Sequence, residues 1–448
     1  MNFSTFDFVL WFFPAVALLF HVAPVKLRLV VLLCASLGFY GYHGLWPLAG
    51  LLASVLWAHL ISRWLPGRRG IAWAILVPLL VLFVAKYLAF TLDLLGVDGR
   101  ARSLILPLLA VSMPAGISFY TFQLVGYSID RAEGRVPDPP RWQRLCLFVA
   151  FFPQLIAGPI VRYDQVAPQF ARLTTEKILQ PNWRRALKFV SIGLFLKIFG
   201  ADILRGFQEK AARADAASSI DQLFSAFSYS FVIYYDFWAY SLIAMGLGLV
   251  FCIELPRNFN EPYLAVNPQE FWRRWHITLS SWLRDYVYFR LGGNHRYLRN
   301  IFIVFVVCGI WHGAGLNFVV WGAYHTGLVV GYRVIREHWD RLPRHVAIAL
   351  TFGLVSLGWP LFYLDLPHFV RLFASMADDP WRAPHIYGMS HFLYTALVAV
   401  WVFAARESRW LYNARSHAFF DAPVLHAILT FTALSFFSYS RTFIYFVF

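Results

Sequence analysis

The chain has 448 residues, of which 59% are hydrophobic and only 14% charged, with a formal net charge of +15. A soluble domain is roughly 45–50% apolar and about 25% charged, so this composition excludes an ordinary soluble enzyme. The positive charge falls in short segments between apolar runs, which marks membrane topology and excludes nucleic-acid binding, where basic residues gather on one face.

About 20 apolar residues cross the hydrocarbon core of a bilayer. By that rule the sequence predicts an all-α integral membrane protein with about 11–13 membrane helices, including one or two re-entrant segments. No linker, repeat or low-complexity tract divides it, so a single domain over residues 1–448 is expected. The first apolar stretch, residues 6–20, is followed by more spans and not by a small-residue cleavage site, so it reads as a first span. Segments 63–69, 162–188, 333–344 and 406–415 are enriched in arginine and are expected to face the cytoplasm. Residues 254–300, with seven arginines, are placed on the same side. Their aromatics, among them Phe271, Trp272, Trp275 and Trp282, are spaced like amphipathic helices lying in the interface. Cys34, Cys146, Cys252 and Cys308 are scattered among apolar neighbours and read as packing residues.

His312 is the leading functional candidate. It lies in an apolar run, residues 301–321, long enough to cross a bilayer, and an imidazole there loses its hydration and must find partners or a wet cavity. With an ordinary pKa of about 6.5 an imidazole is available as a base at neutral pH. Glycines 309, 313 and 315 strip bulk from around it. His276 lies 36 positions earlier, in Phe271-Trp272-Arg273-Arg274-Trp275-His276. That segment also reads as an interfacial anchor, with Trp and Arg at headgroup level, but Arg284-Asp285-Tyr286 eight residues on looks like a paired polar site. The two histidines are expected at different depths along a path through the membrane. Asp236, an acid among bulky aromatics, either pairs with an arginine, orients a histidine or ties helices together. His21, His43, His59, His325, His368 and His391 read as packing or interfacial groups.

Several sites are missing. There is no Gly-x-x-x-x-Gly-Lys-Ser/Thr loop, no Gly-x-Ser-x-Gly elbow and no His-Glu-x-x-His, so nucleotide, serine-nucleophile and zinc chemistry are disfavoured and no metal ligand is assigned. A histidine without a neighbouring nucleophile fits direct transfer through a general base.

Residues 254–264, Glu254-Leu255-Pro256-Arg257-Asn258-Phe259-Asn260-Glu261-Pro262-Tyr263-Leu264, and 270–286, centred on Trp272-Arg273-Arg274-Trp275-His276, closely resemble the membrane-bound O-acyltransferase family. So do Leu291-Gly292-Gly293-Asn294 and Gly309-Ile310-Trp311-His312-Gly313-Ala314. Pro114-Ala115-Gly116-Ile117-Ser118-Phe119-Tyr120-Thr121-Phe122-Gln123, the segment from Phe152 to Arg162 and the ending Phe443 to Phe448 are similar to its bacterial alginate O-acetylation branch. The resemblance covers residues from about 110 to 330 and the C-terminus. Asp236-Phe237-Trp238-Ala239-Tyr240-Ser241-Leu242 lacks the second acid usual in that branch, and in this is similar to the D-alanyl-transfer branch.

The resemblance implies membrane helices around a central tunnel, with His312 in the place of the catalytic histidine and His276 in that of the second signature histidine. Substrate contacts are expected from Asp236, Asn258, Arg284, Asp285 and Trp311. It implies no bound cofactor. The expected donor is a cytosolic thioester, acetyl-CoA or an acyl carrier, and the acceptor a hydroxyl on an exopolysaccharide or on a periplasmic acetyltransferase partner, at a multi-pass site in the bacterial cytoplasmic membrane among its lipids. D-alanyl transfer from a carrier protein is the alternative within the family. A membrane transporter and a non-catalytic scaffold of an acetylation complex are the alternatives outside it.

Overall fold

The computed structural model describes residues 3–65, 67–97, 114–212, 218–378, 384, 386–404, 411–412, 422–441 and 443. The span expected near residue 112, most of the 406–415 segment and the terminal residues 444–448 lie outside these. Every regular element among the described residues is helical. Helices satisfy backbone hydrogen bonds within one segment, which hydrocarbon demands. The chain divides into two compact units, Met1–Val190 with Ser241–Pro256, and Ser191–Tyr240 with Arg257–Phe448.

In the first unit, α1 (Leu45–Trp64) and α2 (Arg69–Leu94) are long and apolar enough to cross a membrane. They leave Trp46, Trp64, Trp73 and Leu80 exposed, a surface suited to lipid and its interface. Helix α3 (Tyr163–Thr175) ends in the Arg-rich 162–188 segment. There the buried Arg28 donates from Nη1 and Nη2 to the carbonyl oxygens of Glu176 and Lys177, at 2.7 and 2.9 Å. A helix end leaves such carbonyls open, and a cation is favoured beside them.

The second unit holds the first part of α4 (Ser219–Val250), whose apolar window is wholly buried. At 1.5 Å per residue this helix is about 48 Å long. A helix apolar all round belongs inside protein. After it come two short helices, α5 (Pro268–Arg274) and α6 (Ile277–Leu283), then a hairpin of α7 (Tyr297–His312) and α8 (Leu316–Val334), and α9 (Arg344–Phe362). Among the described residues α1, α2, α4 and α9 have membrane length and apolarity, and three shorter apolar helices accompany them.

Two expectations change. The apolar run 301–321 is not one span: α7 stops at His312 and α8 starts at Leu316. The Gly313–Gly315 stretch takes an extended backbone, which places His312 at a turn instead of mid-helix. The aromatics of residues 271–286 are largely packed in protein instead of presented at a surface. Phe271, Trp275, Trp282 and Tyr286 are buried in protein, and Phe289 is the exposed one.

The α7–α8 hairpin is close because glycine faces backbone. A Cβ on Gly309 would stand 2.1 Å from the Phe318 carbonyl oxygen, and one on Gly322 2.5 Å from that of Phe305. A Cβ on Gly313 would strike the Phe318 ring at 1.9 Å. Small residues at such crossings let membrane helices approach closely. Gly327, on α8, has nothing within 4 Å of its missing Cβ. Gly309→Ala should therefore destabilise the protein by about 1–3 kcal/mol through overpacking. Gly327→Ala should be neutral or gain up to about 1 kcal/mol of helix propensity. Thermal melts of the detergent-solubilised variants check the contrast, and equal shifts would contradict it.

Candidate active site

His276 is built into the turn between α5 and α6 at φ +40°, a left-handed conformation in which histidine is among the less disfavoured non-glycine residues. Asn258 holds that turn twice. Its backbone carbonyl accepts from Ile277 N–H at 2.8 Å. Its side-chain Oδ1 accepts from Thr278 Oγ1–H at 2.6 Å and Thr278 N–H at 3.4 Å. Since a backbone N–H only donates, the amide oxygen is the atom facing Thr278, and the contact of that oxygen with His276 Nδ1 at 3.3 Å makes Nδ1 the protonated nitrogen. The lone pair is then on Nε2. His276 is fully buried, outside any membrane-length helix, and burial pushes its imidazole down to about 3, so it is neutral at working pH.

His312 closes α7 and is also buried. Its ring lies 4.8 Å from Trp311, 5.4 Å from Trp321 and 5.0 Å from Phe362, centroid to centroid, each near edge-to-face. Asn317 Nδ2 donates to the Leu361 carbonyl at 2.7 Å, which ties the start of α8 to the end of α9 and brings Phe362 into place. Trp311 also packs 5.8 Å from His276. The two histidines thus stand against the same indole, although 36 residues separate them.

The other expected residues divide. Asn258 and Trp311 belong to this cluster through the contacts above. Asp236 pairs with Lys197 Nζ at 2.8 Å, and Lys197 also pairs with Asp202, all three almost fully buried. A π-helical turn, Leu196–Asp202, puts Lys197 and Asp202, five residues apart, on one face. The next residue, Phe237, lies edge-on to His276 at 4.5 Å, so Asp236 anchors the wall behind that ring. Arg284 and Asp285 pair with each other, Nε to Oδ1 at 2.7 Å, with Arg284 exposed. Trp321, Phe362 and His325 enter the site's surroundings without having been assigned there from sequence. Trp321 and His325 are four apart on one helix face, a visible spacing, whereas nothing local points to Phe362.

Aromatic rings around the two imidazoles make surroundings in which electrostatic effects are stronger than in water. Residues 137–358, which contain every one of the assigned positions, match the membrane-bound O-acyltransferase family. The chain is 33% identical over 391 residues to a probable alginate O-acetylase, AlgI, of Pseudomonas syringae pv. tomato, covering 84% of this chain and 75% of the relative. The chain belongs to the membrane-bound O-acyltransferase family. It is 34% identical over 374 residues to a peptidoglycan O-acetyltransferase of Helicobacter pylori, with 74% and 70% covered. To a teichoic acid D-alanyltransferase of Bacillus subtilis it is 30% identical over 268 residues, with 55% and 68% covered. The protein is a membrane O-acyltransferase.

Asn258 makes the acyltransferase's local geometry testable. Asn258→Ala leaves His276 Nδ1–H and both Thr278 donors without this acceptor, and each buried donor left unmet costs about 1–3 kcal/mol. Its melting temperature should drop well below that of the wild type, while Asn258→Asp, which keeps an acceptor oxygen, should retain more stability. Indistinguishable melts for Asn258→Ala and the wild type would remove Asn258 from this role.

Proposed function

We propose that this acyltransferase moves an acetyl group from a cytosolic thioester, acetyl-CoA or an acyl carrier, across the bacterial cytoplasmic membrane to a hydroxyl destined for a cell-surface or exopolysaccharide. The observation that carries this reading is the meeting of His312 and His276 at the Trp311 ring, at 4.8 and 5.8 Å from its centroid. His312 acts as the general base. It takes the acceptor's hydroxyl proton while the oxygen attacks the thioester carbonyl carbon. The C–S bond then breaks, and the thiolate recovers the proton from the imidazolium. A positioned base of this kind contributes about 10²–10⁴-fold. His276, with Nδ1 held by Asn258, offers the Nε2 lone pair to orient a substrate group. The similarity to alginate O-acetylases and to a peptidoglycan O-acetyltransferase supports acetyl as the group moved and an envelope polymer as its destination. The immediate acceptor is a hydroxyl of the glycan or of a periplasmic acetyltransferase that passes the group on. The arginine-rich 162–188 and 254–300 segments support a cytosolic donor face.

D-alanyl transfer is the second reading, favoured by the teichoic acid D-alanyltransferase among the relatives and by Leu242 where the alginate branch carries an acid. Purified protein in detergent, with no ion gradient, decides between them when offered labelled acetyl-CoA, acetyl carrier protein or D-alanyl carrier protein and a set of glycan and protein acceptors. The proposal predicts label in an ester with the acetyl donors. Label only from the D-alanyl carrier would replace the acetyl reading, and no ester from any donor would overturn both.

A further inference from the structure

His325 lies one turn beyond Trp321 on α8, fully buried, where the sequence reads as packing. The structure shows something less ordinary. Neither Nδ1 nor Nε2 of His325 has a hydrogen-bond partner among the described residues, and the same holds for Nε1 of Trp272 and of Trp321. These three rings touch one another: His325 is 4.6 Å from Trp321 and 5.0 Å from Trp272, and the two indoles are 5.5 Å apart. Gly358 lies against this ring and its neighbour, since a Cβ there would press to 2.9 Å from the Tyr324 ring and 3.2 Å from His325 Nε2. Leaving buried donors and acceptors unmet is destabilising, and a phenyl ring at 325 would fill the same space without that cost. Native structures that keep several such groups together call for an explanation, and a ligand group that completes the hydrogen bonds is one. Trp321 supplies the link to chemistry, because its other neighbour is His312 at 5.4 Å.

We infer that His325, with the indole N–H of Trp321 beside it, hydrogen-bonds the thioester carbonyl oxygen and stabilises the negative charge that forms there. The inference rests on the acyl-transfer reading above. As the acceptor oxygen bonds to the carbonyl carbon and its proton passes to His312, the C=O electrons move onto oxygen. The imidazole N–H and indole N–H donate to that oxygen without giving up their protons. The carbonyl then re-forms, the C–S bond breaks, and the thiolate is protonated by His312. Such donors are most effective where they are fixed before reaction and shielded from water, as in this aromatic box.

The competing account is that His325 only stacks edge-on against Trp272, at an interplanar angle of 89°. His325→Phe keeps the ring and removes the N–H, and His325→Gln keeps an N–H without the ring. Removing one such donor typically lowers kcat by about 10²–10³-fold. His325→Phe should show that loss with donor KM little changed and a melting temperature at or above the wild type. His325→Gln should recover part of kcat, and Trp321→Phe should also lower it. A His325→Phe variant with wild-type kcat overturns the assignment. So does a His325→Phe variant that melts early or fails to fold, because the ring would then be needed for packing. Failure of the acyl-transfer reading is separate: the wild-type protein itself would then yield no ester in the same assay.

Discussion

Glycine at positions 309 and 322 lets two helices touch backbone to backbone, and the surroundings of His312 depend on that approach. With α7 and α8 this close, the short extended turn at 313–315 suffices to join them, and the Phe318 ring settles over Gly313. Trp321, one turn further, then reaches His312. Asn317, at the head of the same helix, holds the Leu361 carbonyl and with it Phe362. A wider helix spacing, set by larger side chains at these positions, would move Trp321 away from His312.

Around this hairpin the second unit meets the burden of buried polar groups in different ways. Lys197 sits between two carboxylates, Asp202 and Asp236, and Asp202 also accepts the backbone N–H of Arg441 at 3.2 Å. A buried cation with paired anions is tolerated where either charge alone would be costly. His276 is kept neutral by burial and oriented by Asn258, the arrangement by which one ring nitrogen's hydrogen bond determines the role of the other. His312 is set among aromatic rings, Trp311, Trp321 and Phe362. The ion triad thus supports the wall carrying Phe237.

Much of this was legible in the residues. Hydropathy alone pointed to a helical membrane protein, because hydrocarbon leaves few other choices for the backbone. The costs of burying an imidazole singled out His312, and the local motifs added His276, Trp311 and Asn258, all of which meet in space. Other features were hidden for identifiable reasons. Hydropathy is blind to a break in an apolar run, so residues 301–321 read as one span, although the glycines that make the turn were visible. The aromatics of 271–286 carry the same periodicity whether they face lipid or protein, and they face protein. Arg284 and Asp285, adjacent and opposite in charge, pair with each other, with Arg284 exposed. Phe362, 50 residues beyond His312, arrives through Asn317 and the end of α9, a long-range contact with no local signature. His325 fell on the buried stripe of a helix, where spacing cannot tell a packing residue from one whose nitrogens lack partners.

The rate of a single turnover by a His312→Ala protein, measured beside the wild type with saturating labelled acetyl thioester and acceptor, is the most direct test that this imidazole takes the hydroxyl proton. The expected result is a loss of about 10²-fold or more in the rate of ester formation with donor affinity retained, since only the transition state uses the base. Ester formed at the wild-type rate by the folded variant would contradict it.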